Sequence, residues 1–284
     1  MRSTLAILFL ALLMVVPAMA QQATSETTRV GDDVYRFRYQ NHNTLFVVTS
    51  DGVVAFDPIS TTAAAIYAEA IKEAAPGQPL RAIVYSHHHA DHASGAHVLQ
   101  EAFDAGVPII AHEAARSRLV EANDPDLPPP TMTFSDQMTL HFGGRTLELH
   151  HLGRNHSDNS LVALLPDDGI AFAVDFVSHD RVGYQELRSH YFPDFFDSLR
   201  RLQALPFDTM VFGHGAVGDK ASIDRQILYY DALRAAVEEA VEAGQSEDEA
   251  AATIDLPDFS DWGAYDTWFA MNVRAIYRWV ASGE

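Results

Sequence analysis

The chain contains no cysteine. That excludes a disulfide framework and any thiolate metal site, so a metal centre has to be built from histidine, aspartate and glutamate. Basic residues are also scarce: 19 Lys and Arg stand against 39 Asp and Glu, a formal net charge of −20. A surface of that sign opposes nucleic acid and anionic membranes. It still admits a small anionic substrate, because bound divalent cations invert the field around them. Membrane-length apolar runs are lacking as well. Leu5 to Val16 is shorter than the ~20 residues a span needs. It follows Arg2 and precedes Ala18-Met19-Ala20, a small-x-small cleavage site before Gln21. This is the pattern of a secretory signal peptide over residues 1–20. Without cysteine the cleavage site carries no lipid anchor. The expectation is a periplasmic or secreted mature chain with no stable membrane anchor after cleavage, more acidic still once Arg2 is lost.

Histidine, by contrast, is abundant, with 14 residues, and six consecutive positions concentrate it: His87-His88-His89-Ala90-Asp91-His92. They follow an apolar run, Arg81 to Ser86, that reads as a buried strand. They precede Ala93 to Leu99, which reads as the start of a helix. On such a turn His87 and His89 point to one side and His88 points away. Asp91 and His92 come where the chain is turning. One loop can therefore feed two metal ions, with His87 and His89 for one and Asp91 and His92 for the other. Imidazole nitrogen and carboxylate oxygen are ordinary zinc donors.

The rest of the 284 residues fits one large domain or one domain with an appendage. Gln21 to Thr28 reads as a polar lead, and Asp33 to Tyr39 alternates as a half-exposed strand. Asn41-His42-Asn43 is turn chemistry. Thr44 to Thr49 and Gly52 to Asp57 form a hairpin across Asp51-Gly52. Ala63 to Ala75 is helical, and a second helix is expected from Ser94 to about Ala105. Gly106 to Ala111 is a strand, Glu113 to Glu121 a helix, and the proline-rich Asn123 to Pro130 a loop. Phe134 to Phe142 and Arg145 to His151 read as a hairpin. Leu161 to Leu165 and Gly169 to Val174 are strands, Asp194 to Leu205 is an amphipathic helix, and Thr209 to Phe212 is the final strand. From Ile223 onward the pattern is helical, ending near Tyr265 to Val280. The aromatics of this tail (Trp262, Trp268, Phe269, Tyr277, Trp279) have the spacing of core residues, with a docking surface as the alternative. Strands followed by helices, twice over, suggest two sheets packed together with helices outside. The division is residues 1–20 as signal peptide, 21–221 as the catalytic domain, and 222–284 as a helical extension packed on that domain.

Two side chains hold a metal weakly, so further donors are needed. Three candidates sit at strand ends. His156 lies in the polar loop Gly153-Arg154-Asn155-His156-Ser157-Asp158-Asn159. Asp175 closes the apolar run Ile170 to Val174, where an unpaired buried carboxylate would be costly. It can cap the next segment or bridge two cations. His214 stands between Gly213 and Gly215, which permit close backbone approach. With the central turn these make seven donors: His87, His89, Asp91, His92, His156, Asp175 and His214. That is enough for two sites sharing one carboxylate. Asp57, ending its own strand, is a candidate to orient an imidazole.

This ordered pattern, His-x-His-x-Asp-His, then His156, Asp175 and Gly-His-Gly, resembles the metallo-β-lactamase superfamily over roughly Val30 to Gly218. The resemblance implies an α/β fold, a four-layer αββα sandwich, with a C-terminal helical extension. It implies two zinc ions per chain. His87, His89 and His156 would hold the first and Asp91, His92 and His214 the second, with Asp175 bridging them. His156-Ser157-Asp158-Asn159 is similar to a run in the β-lactamases that use a cysteine ligand, but here Asp175 stands where that cysteine is expected. The implied activity is an exported binuclear zinc hydrolase acting on a small molecule. A metal-bridging hydroxide would open an amide or ester bond, most simply of a β-lactam- or lactone-like substrate, with Asp91 as the catalytic proton acceptor. Phosphodiester or thioester hydrolysis, iron at the same ligands, and a non-catalytic periplasmic metal-binding accessory role are the alternatives. Export disfavours acyl-coenzyme A substrates, and the acidic chain disfavours polynucleotides. His179, Tyr184, His190 and Tyr191 either line the substrate mouth or pack the loop after Asp175. The sequence leaves the oligomeric state open.

Overall fold

A computed structural model describes residues 24–283, so the expected signal peptide lies outside the described residues. The strands β1 (Ser25–Gly31), β2 (Val34–Tyr39), β3 (His42–Thr49) and β4 (Gly52–Phe56) form an antiparallel meander. Ser60 caps α1 (Thr61–Ala74), its Oγ accepting from the Ala63 amide at 3.1 Å. β5 (Leu80–Val84) returns parallel to β4. α2 (Ala90–Ala93) and α3 (Ala96–Phe103) lead to β6 (Ile109–His112), and α4 (Glu113–Ala122) leads to β7 (Met132–Phe134). These seven strands lie in chain order in the first sheet.

The second sheet takes β8 (Gln137–Phe142), β9 (Arg145–His150), β10 (Val162–Leu165), β11 (Ile170–Ala173), β12 (Thr209–Phe212) and the short β13 (Gly218–Asp219). α5 (Asp194–Ala204) crosses between β11 and β12, which run parallel. α6 (Lys220–Glu242), α7 (Glu247–Thr253) and α8 (Tyr265–Ser282) complete the chain.

Side-chain alternation assigns each face. Val47, Val54, Phe56, Val84 and Ile110 of the first sheet meet Leu147, Leu149, Ala163, Phe172 and Val211 of the second. The outer face of the first sheet buries Phe37, Phe46 and Ile83 against Tyr67, Leu99 and Leu119 of the helices. The outer face of the second buries Val162, Leu164 and Met210 against Phe195, Leu199, Tyr229, Phe269 and Ile276. Each fully buried large side chain contributes roughly 1.5–3 kcal/mol. The result is helices, sheet, sheet, helices: the αββα arrangement. The tail aromatics belong to the same outer layer, with Trp262 and Phe269 buried and Trp268, Tyr277 and Trp279 partly so.

Four local readings change. The polar lead contains β1, an edge strand whose exposed Ser, Glu and Thr give no apolar alternation. His42 and Asn43 begin β3 and are not a turn, because the strand is needed to pair with β2 along its whole length. The helix expected from Ser94 starts only at Ala96, as α3, with α2 a separate turn before it and Gly95, at φ 93°, between the two. A Cβ at Gly95 would lie 2.7 Å from the Ser60 carbonyl, so the chain needs glycine where it passes α1. Finally, Phe134 does not continue into β8. β7 pairs with β6 in the first sheet, and the chain crosses to the second sheet at Ser135-Asp136.

Candidate metal centre

The strands β4, β5, β11 and β12 all end at one edge of the sandwich, because β4 is parallel to β5 and β11 to β12. Asp57, His87, Asp175 and His214 follow those ends. Ligand sites outside the carboxyl ends of parallel strands are the general rule for such sheets. His156 arrives from the loop between β9 and β10. Gly213 packs directly on Val174, where a Cβ would lie 2.6 Å from the valine Cβ. That close approach lets His214 Nε2 reach Asp175 Oδ1 at 2.9 Å. Asp175 itself has φ 66°, a left-handed conformation uncommon outside glycine, asparagine and aspartate.

The seven candidates converge. Asp175 Oδ2 lies 3.4 Å from His87 Nε2, 3.3 Å from His92 Nε2 and 3.4 Å from His156 Nε2. His156 Nε2 is 2.9 Å from His89 Nδ1. Donor atoms of His87, His89, His156 and Asp175 lie within 4.8 Å of one another, as do those of Asp91, His92, Asp175 and His214. Nε2 of His87 and of His92 is buried and makes no hydrogen bond of good geometry. Buried polar atoms left this way normally have a partner. Three imidazoles and a carboxylate in the first group, and two imidazoles and two carboxylates in the second, are donor sets that fit zinc.

Neighbours turn these nitrogens inward. Asp57 accepts from His92 Nδ1 at 2.9 Å and from the Ser86 hydroxyl at 2.6 Å, and Ser86 Oγ lies 3.1 Å from His87 Nδ1. The Asn41 carbonyl accepts from His214 Nδ1 at 2.9 Å. Partners of this kind fix both tautomer and ring orientation. His88 points away. Its amide donates to Asn159 Oδ1 at 3.0 Å, which latches the central turn to the His156 loop. Arg118 holds the same loop through Asp158.

The charges follow from burial and from each other. Burial pushes His87 well below the ordinary imidazole range, helped by the nearby His92. Burial brings His156 down to about 4 and His190 to about 3. Burial would lower His92 too, but the Asp175 and Asp57 carboxylates outweigh it and hold it well above. Burial would raise Asp175, yet His92 and the other imidazoles hold it well below the carboxylate range. Asp91 resists burial in the same way and falls to about 2 through His42 and His92.

His42 was not a sequence candidate. Its Nε2 lies 3.3 Å from Asp91 Oδ2, and its ring sits 4.6 Å from that of His214. A backbone bridge between His42 and His214 puts it there. No local spacing marks that long-range contact. Among the loop residues, Tyr184 and His190 line a cavity of about 1070 Å³ beside the seven donors. His179 instead faces Ser222 Oγ at 2.9 Å. His112 and His151 stack on each other at 4.1 Å, away from the cavity.

The sequence profile of the metallo-beta-lactamase superfamily matches residues 38–214. The chain belongs to the metallo-beta-lactamase superfamily. It is a hydrolase-like, metal-dependent protein of that superfamily with a potential metal site. Its fold is similar to a metallo-beta-lactamase from Pontibacter korlensis, at 23% identity and TM-score 0.64 over 72% of this chain and 97% of that one. It is also similar to VMB-1, at 20% identity and TM-score 0.61 over 72% and 95%. A curated relative is 25% identical over 249 residues, 87% of this chain and 72% of its own length: the 2,4-dinitroanisole O-demethylase subunit alpha of Nocardioides sp. (strain JS1661).

Proposed function

We propose that this metallo-beta-lactamase-fold chain is an exported binuclear zinc hydrolase that opens an amide or ester bond in a β-lactam- or lactone-like small molecule. One observation carries the reading: the Asp175 carboxylate lies among the Nε2 atoms of His87, His92, His156 and His214, at 2.9–3.4 Å. His87, His89 and His156 would hold one zinc and Asp91, His92 and His214 the other, with Asp175 shared. Zinc when bound supplies Lewis acidity and lowers the pKa of water to ~7. The export half of the reading rests on Leu5 to Val16 and the Ala18-Met19-Ala20 site. Among the described residues no helix is long and apolar enough to cross a membrane.

Asp91 is the proton acceptor. It lines the cavity, and its low pKa keeps it ionised at neutral pH. His42 hydrogen-bonds Asp91 Oδ2 and steadies the carboxylate, which takes a proton from the attacking water. The same carboxylate then returns that proton to the leaving group. Phe176, Val177 and Leu187 are buried in the cavity wall and exclude water from the reacting bond.

The curated relative favours a second reading, cleavage of an activated aryl ether. Its match extends over more of this chain than the superfamily profile does. An electron-poor aryl carbon and an acyl carbon are both open to an oxygen nucleophile, so the same donors serve either. The relative is named as a subunit, and a partner subunit is part of this second reading. The test is metal analysis of the purified chain, followed by a panel of β-lactams, lactones, thioesters, bis-phosphodiesters and 2,4-dinitroanisole. Two zinc ions with lactone or lactam turnover support the first reading. Turnover of the ether alone moves the protein to the second. Bound zinc with no turnover of any of them favours the accessory role.

A further inference from the structure

The inner face of β2 changes character along its length. Tyr35, Phe37 and Tyr39 face the outer helices, so Val34, Arg36 and Arg38 share the face turned toward the other sheet. Val34 joins the apolar core between the sheets, while the two arginines emerge in the cavity wall. Arg181 and Arg188 enter the same wall from the loop after Asp175. Four guanidiniums in one cavity run against the composition of a chain at −20.

Two of them are neutralised. Arg36 pairs with Glu26 at 2.8 Å and Arg188 with Glu186 at 3.2 Å. Arg38 and Arg181 make no ion pair among the described residues, and Arg38 Nε is buried with no hydrogen-bond partner. Arg181 lies with its guanidinium 4.4 Å over the Trp268 ring, which holds the head group without consuming its charge. The remaining cavity acids are engaged elsewhere, Asp91 with His42 and Asp175 with its four imidazoles. A guanidinium costs free energy to desolvate and offers a planar fork that matches an oxyanion. Low-dielectric walls of one sign concentrate a ligand of the other.

We propose that Arg38 and Arg181 form an anion subsite, and that the substrate is a small organic anion whose carboxylate they hold while its reacting bond lies at the seven-donor floor. The assignment rests on the hydrolase reading only in taking this cavity as the substrate cavity. An anion can be held there whether or not metal is present. Arg38 projects from β2 and Arg181 lies over an indole, so the fold places both cations in the same cavity wall. The subsite selects an acid over its neutral amide, because the amide leaves both guanidiniums without a counter-charge.

The test uses the metal-stripped full chain and two probes, phenylacetate and phenylacetamide, followed by isothermal titration calorimetry. Phenylacetate should bind, more weakly as salt rises, and phenylacetamide should bind at least about tenfold more weakly, as expected when a charge-assisted pair is lost. Arg38→Met and Arg181→Met should each weaken phenylacetate about tenfold or more, with little change for phenylacetamide. Arg200→Met, whose partner is the distant Asp231, is the control for a lost surface charge and should change neither. Circular dichroism checks folding, and Arg38→Lys, which keeps the charge but not the fork, should fall between wild type and Arg38→Met. Equal affinity for the two probes, no binding of phenylacetate, or full binding in the Arg38→Met Arg181→Met double variant would overturn the subsite. Zinc content is measured separately, so loss of the metal reading and loss of the anion subsite give different results.

Discussion

Changing Asp57 to Asn alters one atom's chemistry and almost no volume. Asp57 is fully buried. Its Oδ1 accepts from the Ser86 amide at 2.7 Å, and its Oδ2 accepts from His92 Nδ1 at 2.9 Å. Asparagine keeps one acceptor and converts the other into an NH2 donor. The Ser86 amide retains the oxygen, so the new donor faces His92 Nδ1. Two donors cannot face each other, and the ring proton of His92 has to move to Nε2. That atom lies 3.3 Å from Asp175, so the tautomer change removes the lone pair aimed at the proposed metal. Zinc affinity at the Asp91–His92–His214 group should fall ~10–100-fold, about 1.4–2.8 kcal/mol. The His87–His89–His156 group should change less, because His87 meets Ser86 Oγ and not Asp57 itself. The metal-free chain should lose about 1.5–3 kcal/mol, one hydrogen bond to a charged acceptor. Chelator competition reads the affinity and urea unfolding reads the stability. A folded Asp57→Asn chain that binds two zinc ions as tightly as wild type would refute the reasoning.

Other variants probe the floor, the wall and the charges. His214→Ala should bring bound zinc below two per chain while leaving the other group filled, whereas Asp175→Ala should lower occupancy at both; elemental analysis distinguishes them. Asn272 donates to the Gly183 and Gln185 carbonyls at 2.9 and 2.7 Å and accepts from Tyr229 at 2.8 Å, tying α8 to the cavity wall. Asn272→Ala should cost about 3 kcal/mol in urea unfolding through the groups left unpaired, and should expose the wall to trypsin at Arg188; unchanged proteolysis would remove that role. Burial holds His87 well below 6.5, His88 and His156 at about 4 and His190 at about 3, so these rings are neutral in the fold and charge as pH falls. Their contribution is present above 6.5 and lost from there downward. His92 has the opposite sign: its contribution is complete below 6.5 and lost as pH rises through its raised value. His92 adds no slope below 6.5, so the lowered rings set the sign there, and thermal melts of the metal-stripped chain should show falling stability from about pH 6.5 to about pH 4. A flat melting temperature across that interval would contradict the burial argument.

Much of the site was legible in sequence because its donors sit beside strong local signals. His87, His89, Asp91 and His92 share one turn after an apolar strand, and Asp175 and His214 each close another. Strand ends are easy to read where the strand is buried on both faces, as β5, β11 and β12 are. The same legibility fails for β1, whose side chains are largely exposed, and for the division between β7 and β8. Nothing local at Ser135-Asp136 reveals that the chain is leaving one sheet for the other.

What the sequence determined by itself was therefore the donor chemistry: nitrogen and oxygen ligands, no sulfur, and an acidic chain with a histidine turn. That much is fixed by residue type and short-range spacing. Tertiary structure decided which distant atoms meet. His42 reaches Asp91 only because β3 meets the end of β12, and Arg38 enters the cavity only because the inner face of β2 runs past the core. The physical reason is that period-two alternation names the face of a strand, while the packing of one sheet on the other decides what that face looks into.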